Sequence, residues 1–90
     1  METGRKRYYN ARSIKIYNIT NQESRLAQKA FDYRNTETGY IAYFELTKLI
    51  KDNKKDEAIL ADVAMDFDWD DKLDKAFTRL AIQNNRLDLI

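Results

Sequence analysis

The chain lacks several residue types on which much protein chemistry depends. Its 90 residues include no cysteine, no histidine and no proline, and only two glycines. Without cysteine the chain has no disulfides, thiolate nucleophiles or zinc–sulfur sites. Without histidine it lacks the commonest general base and metal ligand. No glycine-rich phosphate loop is present either, so the composition predicts a protein that is not an enzyme and uses no cofactor.

Long apolar stretches are missing as well. No run approaches the roughly 18 to 20 apolar residues that a membrane-spanning helix requires. The basic N-terminal residues lead into Tyr8, Tyr9 and Asn10 rather than into an apolar run, so we expect no signal peptide and a cytoplasmic location. With 43% hydrophobic residues the chain can build one core. We expect a flexible basic arm over residues 1–10 and a single globular domain over residues 11–90.

Charge is sorted along the chain. Residues 1–20 carry five cations against Glu2 alone, a net charge of +4. Residues 56–74 carry eight acidic side chains against Lys72 alone, a net charge of −7. The total of +1 therefore conceals a basic segment (residues 1–20) and an acidic segment (residues 56–74). Such asymmetry indicates what a protein binds and says little about its fold.

The predicted fold is α+β, with about four helices and a short two-stranded β element. Residues 12–19 are rich in β-branched side chains that partly alternate, which predicts a strand. Residues 40–44 favour a short strand that pairs with residues 13–18, and Gly39 before it fits a turn residue with positive φ. If residues 40–44 are helical instead, the fold is all-α.

The helices follow from capping signals and apolar spacing. Thr20 and Glu23 fit a capping box, which predicts a helix over residues 21–32. Apolar residues at helical spacing predict a second helix over about residues 45–50 and a third over about residues 56–67.

A fourth helix follows Asp68, which fits an N-terminal cap. Its apolar stripe consists of Leu73, Ala76, Phe77, Leu80 and Ala81. The C-terminal residues 87–90 are mostly apolar, so we expect them to dock on the core or to add an edge strand.

The basic segment mixes cations with aromatic side chains. Cations neutralise phosphates and release counterions, and tyrosine rings can stack on unpaired bases. We therefore expect a nucleic acid or nucleoprotein partner. The candidate nucleic-acid-binding residues are Arg5, Lys6, Arg7, Tyr8, Tyr9, Arg12 and Lys15. The other interpretation is a solvated basic N-terminus that contacts nothing in particular.

The acidic segment has more than one interpretation. Its carboxylates can form the solvated face of one helix and the first turn of the next. They can also bind a basic protein surface, as in small inhibitors that block the nucleic-acid groove of an enzyme. Phage antagonists and anti-CRISPR proteins offer an analogy of size and charge for this alternative function. Trp69 either covers a helix junction or anchors such an interface. The candidate partner-binding residues are Asp62, Asp66, Asp68, Trp69, Asp70, Asp71 and Asp74.

Divalent-cation binding is a further alternative, because Asp66, Asp68 and Asp70 offer hard oxygen ligands at alternate positions. Over about residues 26–82 the chain resembles a degenerate pair of EF-hands. The first of the two matches the EF-hand pattern at its turn glycine, its central aliphatic residue, its last ligand and the apolar residues of its exit helix. These residues are Gly39, Ile41, Glu45, Leu46, Leu49 and Ile50.

Both loops depart from the EF-hand pattern. The first has Arg34, Thr36 and Thr38 at the positions of the first three ligands. The second, which starts at Asp66, has Asp71 in place of glycine and Phe77 in place of the bidentate glutamate. We therefore assign no metal ligands from the sequence.

Overall fold

The computed structural model describes residues 9–67 and 71–90. Within these ranges the chain forms helices joined by short turns. They are α1 (Ala11–Tyr17), α2 (Asn21–Asp32), α3 (Glu37–Asp52), α4 (Ala58–Ala64), α5 (Asp71–Gln83) and a 3₁₀ helix (Leu87–Leu89). No helix in the described ranges is both long and apolar enough to cross a membrane.

The predicted α+β fold is wrong, beginning with its first strand at residues 12–19. Most of this stretch forms α1, because the Asn10 side chain accepts hydrogen bonds from the backbone N–H groups of Arg12 and Ser13. Asn18 ends the helix in the left-handed conformation, with φ of 54°. Caps at both ends thus stabilise a helix over residues with strand propensity.

The burial of side chains in α1 also follows a helical period. Ile14 and Tyr17, three residues apart, pack against the core. Ile16 would share a face with Ile14 in a strand, yet its side chain is 66% exposed. The alternation in this segment therefore does not correspond to two faces of a sheet.

The second predicted strand, at residues 40–44, lies within α3. Thr36 caps this helix by accepting a hydrogen bond from the backbone N–H three residues later. The ring centroid of Tyr43 lies 5.3 Å from that of Phe67 and 6.1 Å from that of Phe77. The aromatic residues thus pack between helices, and the described ranges contain no strand. The all-α alternative is confirmed.

Gly39 is needed because α3 begins close to the end of α2, and not because a turn requires positive φ. The predicted role of Gly39 as a turn residue with positive φ is therefore wrong. It lies in the first turn of α3, where a β-carbon would overlap the carbonyl group of Tyr33. The left-handed residue of this connection is Asn35, with φ of 63°. A residue without a side chain therefore lets α3 begin directly against the end of α2.

Other predicted helices are confirmed. The helix at residues 21–32 matches α2, and its capping box forms as expected. Thr20 Oγ1 accepts from the Glu23 N–H over 3.1 Å, and Glu23 Oε1 accepts from the Thr20 N–H over 2.8 Å. In α5 the predicted apolar stripe faces the core, with Phe77 half-buried and its other members buried. The third helix is shorter than the predicted 56–67.

The C-terminal residues dock on the core, and the alternative of an edge strand is wrong. Leu89 lies in the 3₁₀ helix and is buried with Phe44 and Leu80. Arg86 fastens this region by donating to both carboxylate oxygens of Asp52, at 2.9 and 2.6 Å. The tail thereby covers the α3–α5 contact.

Candidate functional site

Tyr9 is the first described residue of the basic segment, and it is fastened to the body of the protein. Its backbone N–H donates to Gln28 Oε1 over 2.7 Å, and its carbonyl accepts from Ser24 Oγ over 3.0 Å. The ring packs against the core, and the hydroxyl donates to Asp62 Oδ2 over 3.0 Å. Tyr9 is therefore held against α2 and α4. The arm candidates Arg5, Lys6, Arg7 and Tyr8 lie outside the described residues.

The two remaining basic candidates lie together on α1. Arg12 and Lys15 are three residues apart and exposed, on the face opposite Ile14 and Tyr17. Neither forms an ion pair with any residue in the described part of the chain. Since Ile16 is also exposed beside them, this face presents two charges and an apolar side chain to solvent.

The structure adds two cations that the sequence reasoning missed. Arg25 and Lys29 are exposed on α2, four residues apart on one face. Like the α1 pair, they form no ion pair within the described ranges. Their signal in the sequence is the polar face of the amphipathic pattern in residues 21–32. The net charge of that range does not reveal them, because it also contains acids.

Several cations of α3, α5 and the connections after them form ion pairs. Arg79 donates to both carboxylate oxygens of Glu37, at 2.8 and 2.6 Å. The cations that pair with carboxylates of the described residues include Lys48, Lys51, Lys55, Arg79 and Arg86. These five neutralise the protein's own carboxylates, whereas the exposed cations of α1 and α2, like Lys54 and Lys75, form no ion pair within the described ranges.

Lys55 forms the least exposed of these pairs. Its Nζ lies 2.9 Å from Oε1 of Glu23, whose side chain is only 1% exposed. Burial by itself would raise the pKa of Glu23, but the hydrogen bond and charge of Lys55 and the N–H of Thr20 lower it below its ordinary value. The pair joins α2 to the α3–α4 connection, which is a structural role rather than a catalytic one.

The described acidic candidates are distributed over α4, the residues that follow it and α5. Asp62 and Asp66 are half-buried, and Asp62 accepts the Tyr9 hydroxyl. Asp74 is exposed on α5, whose first residue is Asp71. The candidates Asp68, Trp69 and Asp70, together with the predicted cap at Asp68, lie outside the described residues. Asp62 thus contacts the basic segment through Tyr9, whereas Asp74 lies on α5.

Of the candidate metal ligands Asp66, Asp68 and Asp70, the last two lie outside the described residues. In residues 9–67 and 71–90, no three acidic side chains come close enough together to hold a metal ion. The first EF-hand register requires a loop over residues 34–45, whereas α3 begins at Glu37. In the second register, α5 already begins at Asp71. The resemblance to EF-hands therefore does not extend to a ligand loop over residues 34–45.

Comparisons with known proteins give no family for this chain. No protein-family model matches it, and searches of characterised proteins and of solved structures found no match either.

Proposed function

We propose that this protein is a non-enzymatic nucleic-acid-binding protein, which contacts phosphates through its N-terminal arm and the outward face of α1. Support comes chiefly from Arg12 and Lys15, which are exposed, adjacent on one helix face and without ion pairs among the described residues. A cation without an internal partner can neutralise a phosphate without first breaking an ion pair. Arm residues Arg5, Lys6 and Arg7 add three charges next to this face in sequence.

Contact with phosphates, rather than stacking on bases, is the mode we favour. Tyr9 was the aromatic candidate closest to α1, but its ring packs on the core and its hydroxyl donates to Asp62. A base that stacked on this ring would have to displace that packing. Binding through Arg and Lys to phosphates carries no sequence information, so the protein should bind nucleic acid with little sequence preference.

Arg25 and Lys29 on α2 extend the set of available cations. They follow the α1 pair in the chain, and α2 packs directly against α1. Exposed cations on two neighbouring helices provide several attachment points for one polyanion, which raises both affinity and salt sensitivity.

The test is fluorescence anisotropy with a labelled DNA duplex and a labelled single-stranded RNA at low salt. One variant combines Arg12→Gln with Lys15→Gln, and another deletes residues 2–7 so that Tyr9 and its anchoring contacts remain. A matched control combines Lys54→Gln with Lys75→Gln, because these lysines are also exposed and form no ion pairs with described residues.

We expect the wild-type chain and the control to bind similarly, and both test variants to bind several-fold more weakly. Binding that is equally weakened by the control would indicate general attraction by net charge and contradict the assignment to α1 and the arm. The alternative function, an inhibitor whose acidic segment blocks a basic groove, predicts no affinity for either nucleic acid even at low salt.

A further inference from the structure

Tyr33 is an exposed aromatic residue at the C-terminal cap of α2. It is 52% exposed, whereas the ring of Tyr9 packs against the core. Aromatic rings that remain open to solvent are the surfaces on which unpaired bases stack. Tyr33 is therefore available to a base in a way that Tyr9 is not.

Tyr33 continues a row of exposed cations along α2. Arg25, Lys29 and Tyr33 follow one another at intervals of four residues, so about 6 Å separates neighbours along the helix axis. Neither cation forms an ion pair within the described ranges. Proteins that bind single strands combine cations for the phosphates with aromatic rings for the bases. This face of α2 presents both.

An apolar depression lies beside the row, between α2 and α3. Its volume is about 340 Å³, at the lower end of the range for ligand-binding pockets. It is lined by Leu26, Lys29, Thr38, Ile41, Ala42 and Glu45. Leu26 precedes Tyr33 by seven residues, or about two helical turns, so both lie on the same side of α2. The depression thus provides apolar surface for a sugar or base next to the row.

The charges around the row favour an anion. Glu45, the acidic residue that lines the depression, pairs with Lys48 over 3.2 Å. Glu37, in the first turn of α3, pairs with Arg79 over 2.6 Å. Residues 25–34 contain three cations and one acid, Asp32, which gives a net charge of +2. The surface is therefore complementary to a polyanion.

From the exposed ring and the cations beside it, we infer that this face of α2 binds single-stranded nucleic acid. An unpaired base stacks on Tyr33, while Lys29 and Arg25 hold neighbouring phosphates. Bases of a duplex are already paired and stacked on one another, so Tyr33 adds affinity only for a single strand. The inference rests on the proposed function, since it requires the phosphate contacts, and it adds the class of nucleic acid.

The experiment compares two labelled probes by fluorescence anisotropy at low salt. One is an oligothymidylate of about twelve nucleotides, and the other is a DNA duplex of the same length. Tyr33→Ala removes the ring, whereas Tyr33→Phe keeps a ring on which a base can stack. We expect Tyr33→Ala to weaken binding of the oligothymidylate at least about fivefold and to leave duplex binding unchanged. Tyr33→Phe should bind both probes like the wild-type chain.

Leu87→Ala is the matched control for the loss of an exposed apolar side chain. Leu87 is 61% exposed and follows Arg86, which pairs with Asp52 at the last residue of α3. Tyr33 lies at the opposite end of this helix, where its carbonyl group packs against Gly39. The control should therefore bind both probes like the wild-type chain.

The cations of α2 are tested by combining Arg25→Gln with Lys29→Gln. This variant should weaken binding of both probes, because phosphates are common to the single strand and the duplex. Lys54→Gln combined with Lys75→Gln removes the same charge elsewhere and should have little effect.

A spectroscopic measurement tests stacking in the unaltered protein. The ring proton resonances of Tyr33 are identified in the wild-type spectrum by comparison with that of Tyr33→Phe. On addition of the oligothymidylate they should move upfield, because a stacked base shields the protons of the ring beneath it.

The outcomes separate this inference from the proposed function. If the oligothymidylate binds but Tyr33→Ala binds it equally well, or the Tyr33 ring resonances do not move, the base contact is overturned and the phosphate contacts stand. Equal weakening of duplex binding by Tyr33→Ala would likewise overturn the preference for a single strand. If neither probe binds the wild-type chain at low salt, the proposed function fails, and this inference fails with it.

Discussion

The Tyr9 hydroxyl donates a hydrogen bond to Asp62 Oδ2 over 3.0 Å, between residues 53 positions apart in the sequence. Tyr9 belongs to the basic segment and Asp62 to the acidic one, so the two oppositely charged segments meet at this contact. The sorting of charge along the chain is therefore not a simple separation into two remote poles. The contact holds Tyr9 against α4.

Tyr9→Phe should lower the free energy of unfolding by about 0.5–1.5 kcal/mol, the usual contribution of one partly buried hydrogen bond. Urea unfolding followed by circular dichroism measures this change. Tyr33→Phe is the matched control, because Tyr33 is 52% exposed and should show almost no effect. Equal stability of both variants and the wild-type chain would mean that the contact does not stabilise the fold.

Glu23→Gln should lower the free energy of unfolding by about 1–3 kcal/mol at neutral pH, since it removes the charged partner of Lys55 and leaves a neutral amide oxygen as the acceptor in the capping box. The pKa of Glu23 is lowered from 4.5 in the folded state, despite the opposing effect of burial. Its charge therefore stabilises the fold above about pH 4.5, and this contribution disappears as the pH falls through the folded-state pKa.

The corresponding measurement is urea unfolding of the wild-type chain and of Glu23→Gln from pH 7 to pH 3. The stability difference should narrow as the pH falls. Glu57→Gln serves as control, because its pair with Lys51 is largely exposed and contributes little. A difference that stays constant across the range would contradict the role of the Glu23 charge.

Gly39→Ala should destabilise the protein although alanine favours helices by about 1 kcal/mol over glycine. The new methyl group would overlap the Tyr33 carbonyl, and overpacking against backbone costs about 1–3 kcal/mol or more. Thr38→Ala, at the exposed neighbouring position, should be close to neutral. A rise in melting temperature for Gly39→Ala would show that α2 and α3 are farther apart than the structure describes.

Arg86→Gln should loosen the C-terminal residues without unfolding the domain. The hydrogen bonds from Arg86 lower the pKa of both Asp52 and Asp88, as expected for a cation that joins two carboxylates. Without them, hydrogen exchange should accelerate at the amides of residues 89–90 and stay unchanged within α2. Arg79→Gln, which removes the separate pair with Glu37, should leave exchange at residues 89–90 unaltered.

Local signals in the sequence were sufficient for α2 and α5. The capping box of Thr20 and Glu23 and the stripe from Leu73 to Ala81 each depend on spacing within a single helix. Both segments have helical periodicity that no strand pattern imitates. Their prediction therefore needed no knowledge of tertiary contacts.

The two strand predictions failed because residue preference and tertiary packing disagree there. Ile14 and Ile16 favour strands by β-branching, but the caps at Asn10 and Asn18 stabilise a helix. The aromatic run at residues 40–44 is helical because its rings pack between neighbouring helices. The secondary-structure preference of single residues is a weak guide where tertiary packing determines the conformation.

The sequence indicated that the candidate site consists of cations, but not which cations lie side by side on the surface. Arg12 and Lys15 emerge as exposed neighbours only because α1 is a helix, since a strand would have put them on opposite faces. Nothing in the sequence indicated that Tyr9 would form a hydrogen bond with Asp62. Contacts between residues so distant in the chain depend on the assembled fold.

Salt dependence of duplex binding tests the central claim most directly, namely that the basic segment binds phosphates. If its five cations each neutralise one phosphate, the logarithm of the association constant should fall against the logarithm of salt concentration with a slope of about −4.5. The Arg12→Gln and Lys15→Gln double variant should reduce the steepness by about 1.8. A slope that the double variant leaves unchanged, or the absence of binding at low salt, would contradict the account.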